Sequence, residues 1–290
     1  MTTLGQLYAA TPTPIRQDFS INVELLADHC ARMLESGADG IVLFGTTGEG
    51  TFFSVAEKRR AAEGLLRRGL RADTLLIATG ACALRDAADI LCASRDLGFA
   101  ATLVLPPFFT KAVSDDGIEE WLEALIAEAP QAKFLLYHIP AVAGVGISAA
   151  LTMRMFSRFP SNVVGVKDST RDSSLATALL TNGAKGLFVS TEARLSEFLS
   201  AGGAGVISAS LNISMPIAKA VIGGAQDSAP RRLAAVRHLI EQFPLIWATK
   251  TILAERYKEP AWRRLAPPHR QLPSHDETRL LTALRELEQI

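Results

Sequence analysis

The chain has 290 residues, 48% of them hydrophobic and 21% charged, a globular composition long enough for one large barrel or two average domains. Lysine plus arginine balances aspartate plus glutamate at 30 each. That balance excludes a net field drawing the whole molecule onto nucleic acid or an anionic membrane, and leaves a small neutral or locally recognised anion as the expected substrate.

Eight short runs with β-branched and aromatic bias follow one another at 7–10, 40–44, 75–79, 101–105, 133–137, 163–166, 187–189 and 205–207. Each reads as a buried parallel strand. After the first, residues 22–36 place Val23, Leu26, Cys30, Met33 and Leu34 on one helical face, with Gly37 as a stop. After the second, Ser54 and Glu57 have the spacing of a capping box, and Gly69 closes that helix. Gly98 and Gly183 read as similar stops, and the cationic run Lys58-Arg59-Arg60 reads as a solvated helix face.

Eight strand-then-helix units predict an α/β fold, a (β/α)8 TIM barrel over residues 1–212, where a doubly wound sheet more often shows five or six strands. From 213 to 290 no strand alternation returns, and Pro230, Pro244 and the loop 265–273 separate helices of a C-terminal extension. Cys30, Cys82 and Cys92 have no CxxC spacing, and the histidines form neither HxH nor HExxH, so no disulfide framework and no metal site are expected. Residues 1–6 lack a basic, apolar leader and no run reaches the ~18 apolar residues of a membrane span, so the expected location is cytoplasmic.

In barrels of this kind reacting groups gather where strands end, and three predicted ends carry chemistry. The loop Gly45-Thr46-Thr47-Gly48-Glu49-Gly50 offers backbone N–H groups and two hydroxyls able to hold a carboxylate, although the segment alone reads equally as a plain turn. Lys167 follows an apolar strand, where desolvation favours the neutral, nucleophilic amine that forms an imine with a ketone; the alternative is a surface lysine paired with Asp168. Tyr137 closes the fifth strand as either a proton-transferring phenol, relayed through Thr46, or a core tyrosine with a satisfied hydroxyl. His138 beside it faces the other side of the strand by alternation. All three ends fall on one rim of one predicted barrel.

Thr13-Pro14, Gly45-Thr46-Thr47-Gly48-Glu49, Thr79-Gly80-Ala81, Pro107-Phe108-Phe109, Leu136-Tyr137 with Pro140, Gly165-Val166-Lys167 and Gly205-Val206-Ile207-Ser208 occur in the order and spacing of one family. The chain resembles the dihydrodipicolinate synthase and N-acetylneuraminate lyase family, class I aldolases that bind pyruvate as a Schiff base. The resemblance implies Lys167 as the Schiff-base lysine, Tyr137 as the phenol, and Thr46 and Thr47 as donors to the pyruvate carboxylate. It implies Ile207 in the pyruvate pocket, no organic cofactor and no metal, and a homotetramer.

Two positions depart from the family pattern. Phe109 stands where a tyrosine projects towards a neighbouring subunit's site, which leaves the Thr46–Tyr137 relay without its third hydroxyl. Val142 stands where lysine-pathway synthases carry an arginine for a substrate carboxylate, a contact worth roughly 1.5–3 kcal/mol. The segment 140–144 is closer to sugar-acid lyases and 2-keto-3-deoxy sugar acid aldolases, so the expected reaction is aldol cleavage of such an acid, or of a related 4-hydroxy-2-oxo acid, to pyruvate and an aldehyde. Ser190, Thr191, Glu192 and Ser208 are then candidates for substrate hydroxyls, with Glu192 equally readable as a first-turn helix acid. A dihydrodipicolinate synthase, a keto-deoxy sugar acid dehydratase and a non-catalytic pyruvate sensor are the alternatives.

Overall fold

A computed structural model describes residues 4–170, 172–225 and 228–288. Residues 1–3, part of the segment in which no leader was expected, lie outside them. Eight parallel strands close into one barrel in sequence order. They are β1 (Leu7–Ala10), β2 (Gly40–Leu43), β3 (Leu75–Ala78), β4 (Ala101–Val104), β5 (Phe134–His138), β6 (Val163–Asp168), β7 (Leu187–Val189) and β8 (Gly205–Ser208). The (β/α)8 barrel with C-terminal helices expected from the strand count is the fold observed.

Both faces of the strands are buried, which is why the runs are apolar throughout and not alternating. Inside the barrel Tyr8, Val42, Leu76, Leu103, Leu135, Tyr137, Phe188 and Ile207 interlock. The opposite faces of the strands pack on the surrounding helices. Helix α1 (Val23–Glu35) starts at Asn22, whose side chain accepts from Leu25 N, and ends before Gly37 in the left-handed region. In α2 (Val55–Arg67) the Ser54–Glu57 capping box is complete. Helices α3 (Leu84–Asp96), α4 (Asp115–Glu128), the short α5 (Pro140–Ala143), α6 (Ala149–Arg158), α7 (Ser174–Thr181) and α8 (Leu195–Ser200) continue the ring.

Two features differ from the sequence reading. Lys58 is buried, because it shares the inward face of α2 with Ala61, Ala62 and Leu65. Its ammonium donates to the Thr79 carbonyl (2.8 Å), and burial pushes its pKa down to about 8 against the attraction of Asp86. The division placed between 212 and 213 falls inside α9 (Leu211–Ile222), which packs on β1 and β8 of the barrel.

Beyond it lie α10 (Ala229–Glu241), α11 (Leu245–Tyr257) and α12 (Ser274–Glu288), with Pro230 in a first turn and Pro244 as a cap. Helix α11 is buried over all of residues 247–254, with Lys250 and its neighbours Thr249 and Thr251 in the middle of that stretch. Among the described residues no helix is long and apolar enough to cross a membrane.

Candidate active site

The ends of β5 and β6 extend past the predicted ones to His138 and Asp168, so Lys167 lies within its strand, directly opposite Tyr137 in register. Lys167 is also level with Phe188 of β7. Tyr137 and Phe188 belong to the barrel interior, so the same alternation turns Lys167 inwards, where it is 5% exposed. Its Nζ stands 4.3 Å from the centroid of the Tyr137 ring.

Asp168 points the other way. One carboxylate oxygen accepts from Thr170 N (2.8 Å) and Thr170 Oγ1 (2.7 Å), and the other from Ala176 N (2.9 Å) in the first turn of α7. The pairing of Lys167 with Asp168 that the sequence left open is therefore not formed. His138 likewise faces the helices: its Nδ1 accepts from Ile147 N (2.9 Å), and burial pushes its pKa down while Asp168 opposes the shift.

The Tyr137 hydroxyl is 3.0 Å from Thr46 Oγ1, and both residues line a cavity of about 330 Å³ at the carboxyl ends of the strands. Tyr137 is buried while Thr46 is exposed, so two hydroxyls connect the interior beside Lys167 to solvent. The loop that carries Thr46 is tightly constrained. Phe44 and Glu49 both adopt left-handed φ (56° and 54°), which costs on the order of 1–3 kcal/mol each for non-glycine residues. Gly48 and Gly50 pass so close to other backbone that a Cβ would lie 2.9 Å from Phe44 N and 1.7 Å from Phe44 O, respectively.

What holds the strained loop is Glu49. Its carboxylate pairs with the Lys250 ammonium of α11 and accepts from Ala266 N (2.9 Å), while Lys250 also donates to the Arg264 carbonyl (2.9 Å). Burial pushes the Lys250 pKa down and the Glu49 charge opposes it.

Of the other residues singled out from the sequence, Gly45 lines the cavity, Thr47 is buried in the same loop, and Ile207 lies in the barrel interior with Tyr137. Lys167, Thr47 and Ile207 are not among the residues that line the cavity, and three others are held in the helical layer. Ser208 follows Ile207 and so faces outwards, where its Oγ meets Ser210 Oγ (3.0 Å) and accepts from Arg237 Nη1 (3.1 Å) of α10. Arg237 Nη1 also holds the Ser190 carbonyl (2.9 Å). Glu192 is buried towards α9, where Ser214 Oγ donates to it at 3.5 Å.

Conversely, Phe52, Phe108, Ile246 and His269 line the cavity without having been singled out for it. Ile246 and His269 come from the C-terminal region, more than a hundred residues away from Tyr137 in sequence. No local pattern marks such a contribution.

The model of the dihydrodipicolinate synthetase family matches residues 3–251. An uncharacterised DapA-like lyase of Chloroflexus aurantiacus is 32% identical over 243 residues, 81% of this chain and 81% of that one. An N-acetylneuraminate lyase of Pongo abelii is 34% identical over 148 residues, half of this chain (50%) and 46% of its own length. In three dimensions, the dihydrodipicolinate synthase of Agrobacterium tumefaciens superposes with a TM-score of 0.91 at 28% identity, covering 97% of this chain and 99% of that one. The chain belongs to the dihydrodipicolinate synthetase family, and within it is an enzyme, a carbon–carbon lyase.

Proposed function

We propose that the protein is a Schiff-base lyase that reversibly cleaves a 4-hydroxy-2-oxo acid to pyruvate and an aldehyde. The observation that carries this reading is the side-by-side placement of the Lys167 amine and the Tyr137 phenol inside the rim, with Thr46 Oγ1 on the phenol.

The Lys167 amine adds to the C2 carbonyl of the substrate, and loss of water from the carbinolamine leaves a protonated imine. Tyr137 hands protons between the substrate oxygens and Thr46, whose exposure lets the chain end in solvent without a third hydroxyl at Phe109. Removal of the C4 hydroxyl proton breaks the C3–C4 bond. Its electron pair flows into the imine, giving an enamine and the free aldehyde. Protonation at C3 and hydrolysis by water then release pyruvate and restore the amine. Gly45, Thr46 and Thr47 are the proposed carboxylate seat, and Ile207 the floor under the pyruvate methyl group.

A 2-keto-3-deoxy sugar acid was the substrate favoured by the sequence, and its hydroxyls were assigned to Ser190, Glu192 and Ser208, of which none lines the cavity. Val142 does line it, so no guanidinium stands there for the carboxylate of a lysine-pathway substrate. The homotetramer is part of the same reading and would cover Phe109, which is 90% exposed.

Borohydride reduction in the presence of pyruvate tests the core claim. Peptide mapping is expected to find one reduced pyruvate adduct on Lys167 and none in Lys167→Ala. Absence of an adduct in the wild type, or an adduct that survives the substitution, refutes the mechanism.

A further inference from the structure

The walls of the cavity carry information about the half of the substrate that leaves. On the Schiff-base reading the pyruvate carbons would sit at Lys167, and C4 and its substituent would extend past Tyr137 into the cavity that Tyr137 lines. There the lining consists of Ile139, Val142 and Ala143 after β5, Phe108 after β4, Phe52 after β2 and Ile246 of α11. None of these side chains offers a hydrogen-bond donor or acceptor.

Most of the polar side chains nearby are otherwise engaged. Thr46 and Tyr137 bond each other at the reacting end. Both Glu49 oxygens are taken by Lys250 and Ala266 N. Ser208 Oγ is held by Ser210 and Arg237 in the helical layer. Thr51 and His269 are the polar side chains left, and both are exposed, with His269 packed edge-on against Phe52.

Phe52 and Val142 stand 43% and 66% exposed in the open site, apolar surface that a matching substituent would remove from water.

Resting on the Schiff-base reading above, we infer that the leaving aldehyde is apolar, branched or aromatic, and not polyhydroxylated. A hydroxyl set against a wall without partners lowers kcat/KM roughly 100-fold relative to its apolar isostere. A polyol would set most of its hydroxyls against carbon, with only the exposed Thr51 and His269 to meet them, whereas a phenyl or isopropyl group matches the apolar part of the lining.

The test uses the whole chain and the synthetic direction. Pyruvate is condensed with benzaldehyde, with isobutyraldehyde and with D- and L-glyceraldehyde, and the borohydride adduct is measured in parallel. We expect the adduct to form and the two apolar aldehydes to exceed glyceraldehyde in kcat/KM by about 100-fold. In Val142→Asn, at an exposed position where folding is not at stake, that ratio should fall at least about tenfold as the wall gains a donor and an acceptor.

With the adduct present, glyceraldehyde used as well as or better than the apolar aldehydes overturns the inference alone. So does turnover of none of them, or a ratio unchanged in Val142→Asn. Absence of the adduct overturns the Schiff-base reading and the inference with it.

Discussion

Lys250 of α11 and Glu49 of the loop after β2 are 201 positions apart in sequence and form an ion pair with both side chains essentially out of solvent. The pair joins the C-terminal helices to the loop that presents Thr46 and Thr47, which also contains the left-handed Phe44 and Glu49. Removing one partner strands a buried charge. Glu49→Gln or Lys250→Met is therefore expected to lower unfolding free energy by about 3–5 kcal/mol in urea titration. The double variant Glu49→Gln/Lys250→Met should regain much of that stability. It should not regain kcat/KM, because the loop has lost the anchor that opposes its strain.

The Tyr137–Thr46 contact makes a second expectation. Tyr137→Phe and Thr46→Val should each lower kcat by roughly 10²–10⁴ if the two hydroxyls move one proton in series. For the same reason the double variant should be hardly worse than either single one, since a chain broken once is already broken. Multiplicative losses in steady-state kinetics would mean that the two act separately.

Glycines of one loop should behave in opposite ways. At Gly45 an added Cβ meets nothing nearer than Val42 Cγ1 at 3.9 Å and projects into open space at the cavity, so Gly45→Ala should melt close to the wild type while raising KM. At Gly50 the same methyl would lie 1.7 Å from the Phe44 carbonyl oxygen. Gly50→Ala should show a depressed Tm or fail to fold, by thermal unfolding followed in circular dichroism.

Acid sensitivity should depend in part on His29. It is buried in α1 with Asn212 Oδ1 at 2.8 Å and the Tyr257 hydroxyl at 2.9 Å, and burial pushes its pKa down to about 4, against the Asn212 bond. Between that value and the unfolded value of ~6.5 the unfolded chain binds the proton and the native one does not, so stability falls as pH falls through this window. Integration gives a loss of about 2 kcal/mol between pH 7 and pH 5. His29→Gln should be less stable at pH 7 and should lose that part of the acid slope in denaturant titrations.

How much of this could be read from residues alone depended on whether the cause was local. The strands were legible because burial on both faces leaves uninterrupted β-branched runs, and the Ser54–Glu57 cap because its partners are three residues apart. The burial of Lys58 was legible in principle. It stands at helical spacing from Ala61, Ala62 and Leu65, and the neighbouring arginines masked that periodicity.

Strand alternation likewise turns Ser208 outwards once Ile207 is placed inwards. The Glu49–Lys250 pair joins residues 201 positions apart, and no local spacing marks it. The contributions of Ile246 and His269 to the cavity arise only when the C-terminal region folds back over the barrel mouth, and no spacing encodes them.

The β5–β6 register has an evolutionary consequence. Side chains alternate with a period of two, so a one-residue slip between the strands would turn one of Tyr137 and Lys167 out of the barrel and part the pair. A molecule that closes its barrel thus already has its reactive pair assembled. The apolar walls of the cavity belong instead to loops and to helices α5 and α11, which can drift one residue at a time. Descendants of this chain can therefore change what they cleave while inheriting how they cleave it.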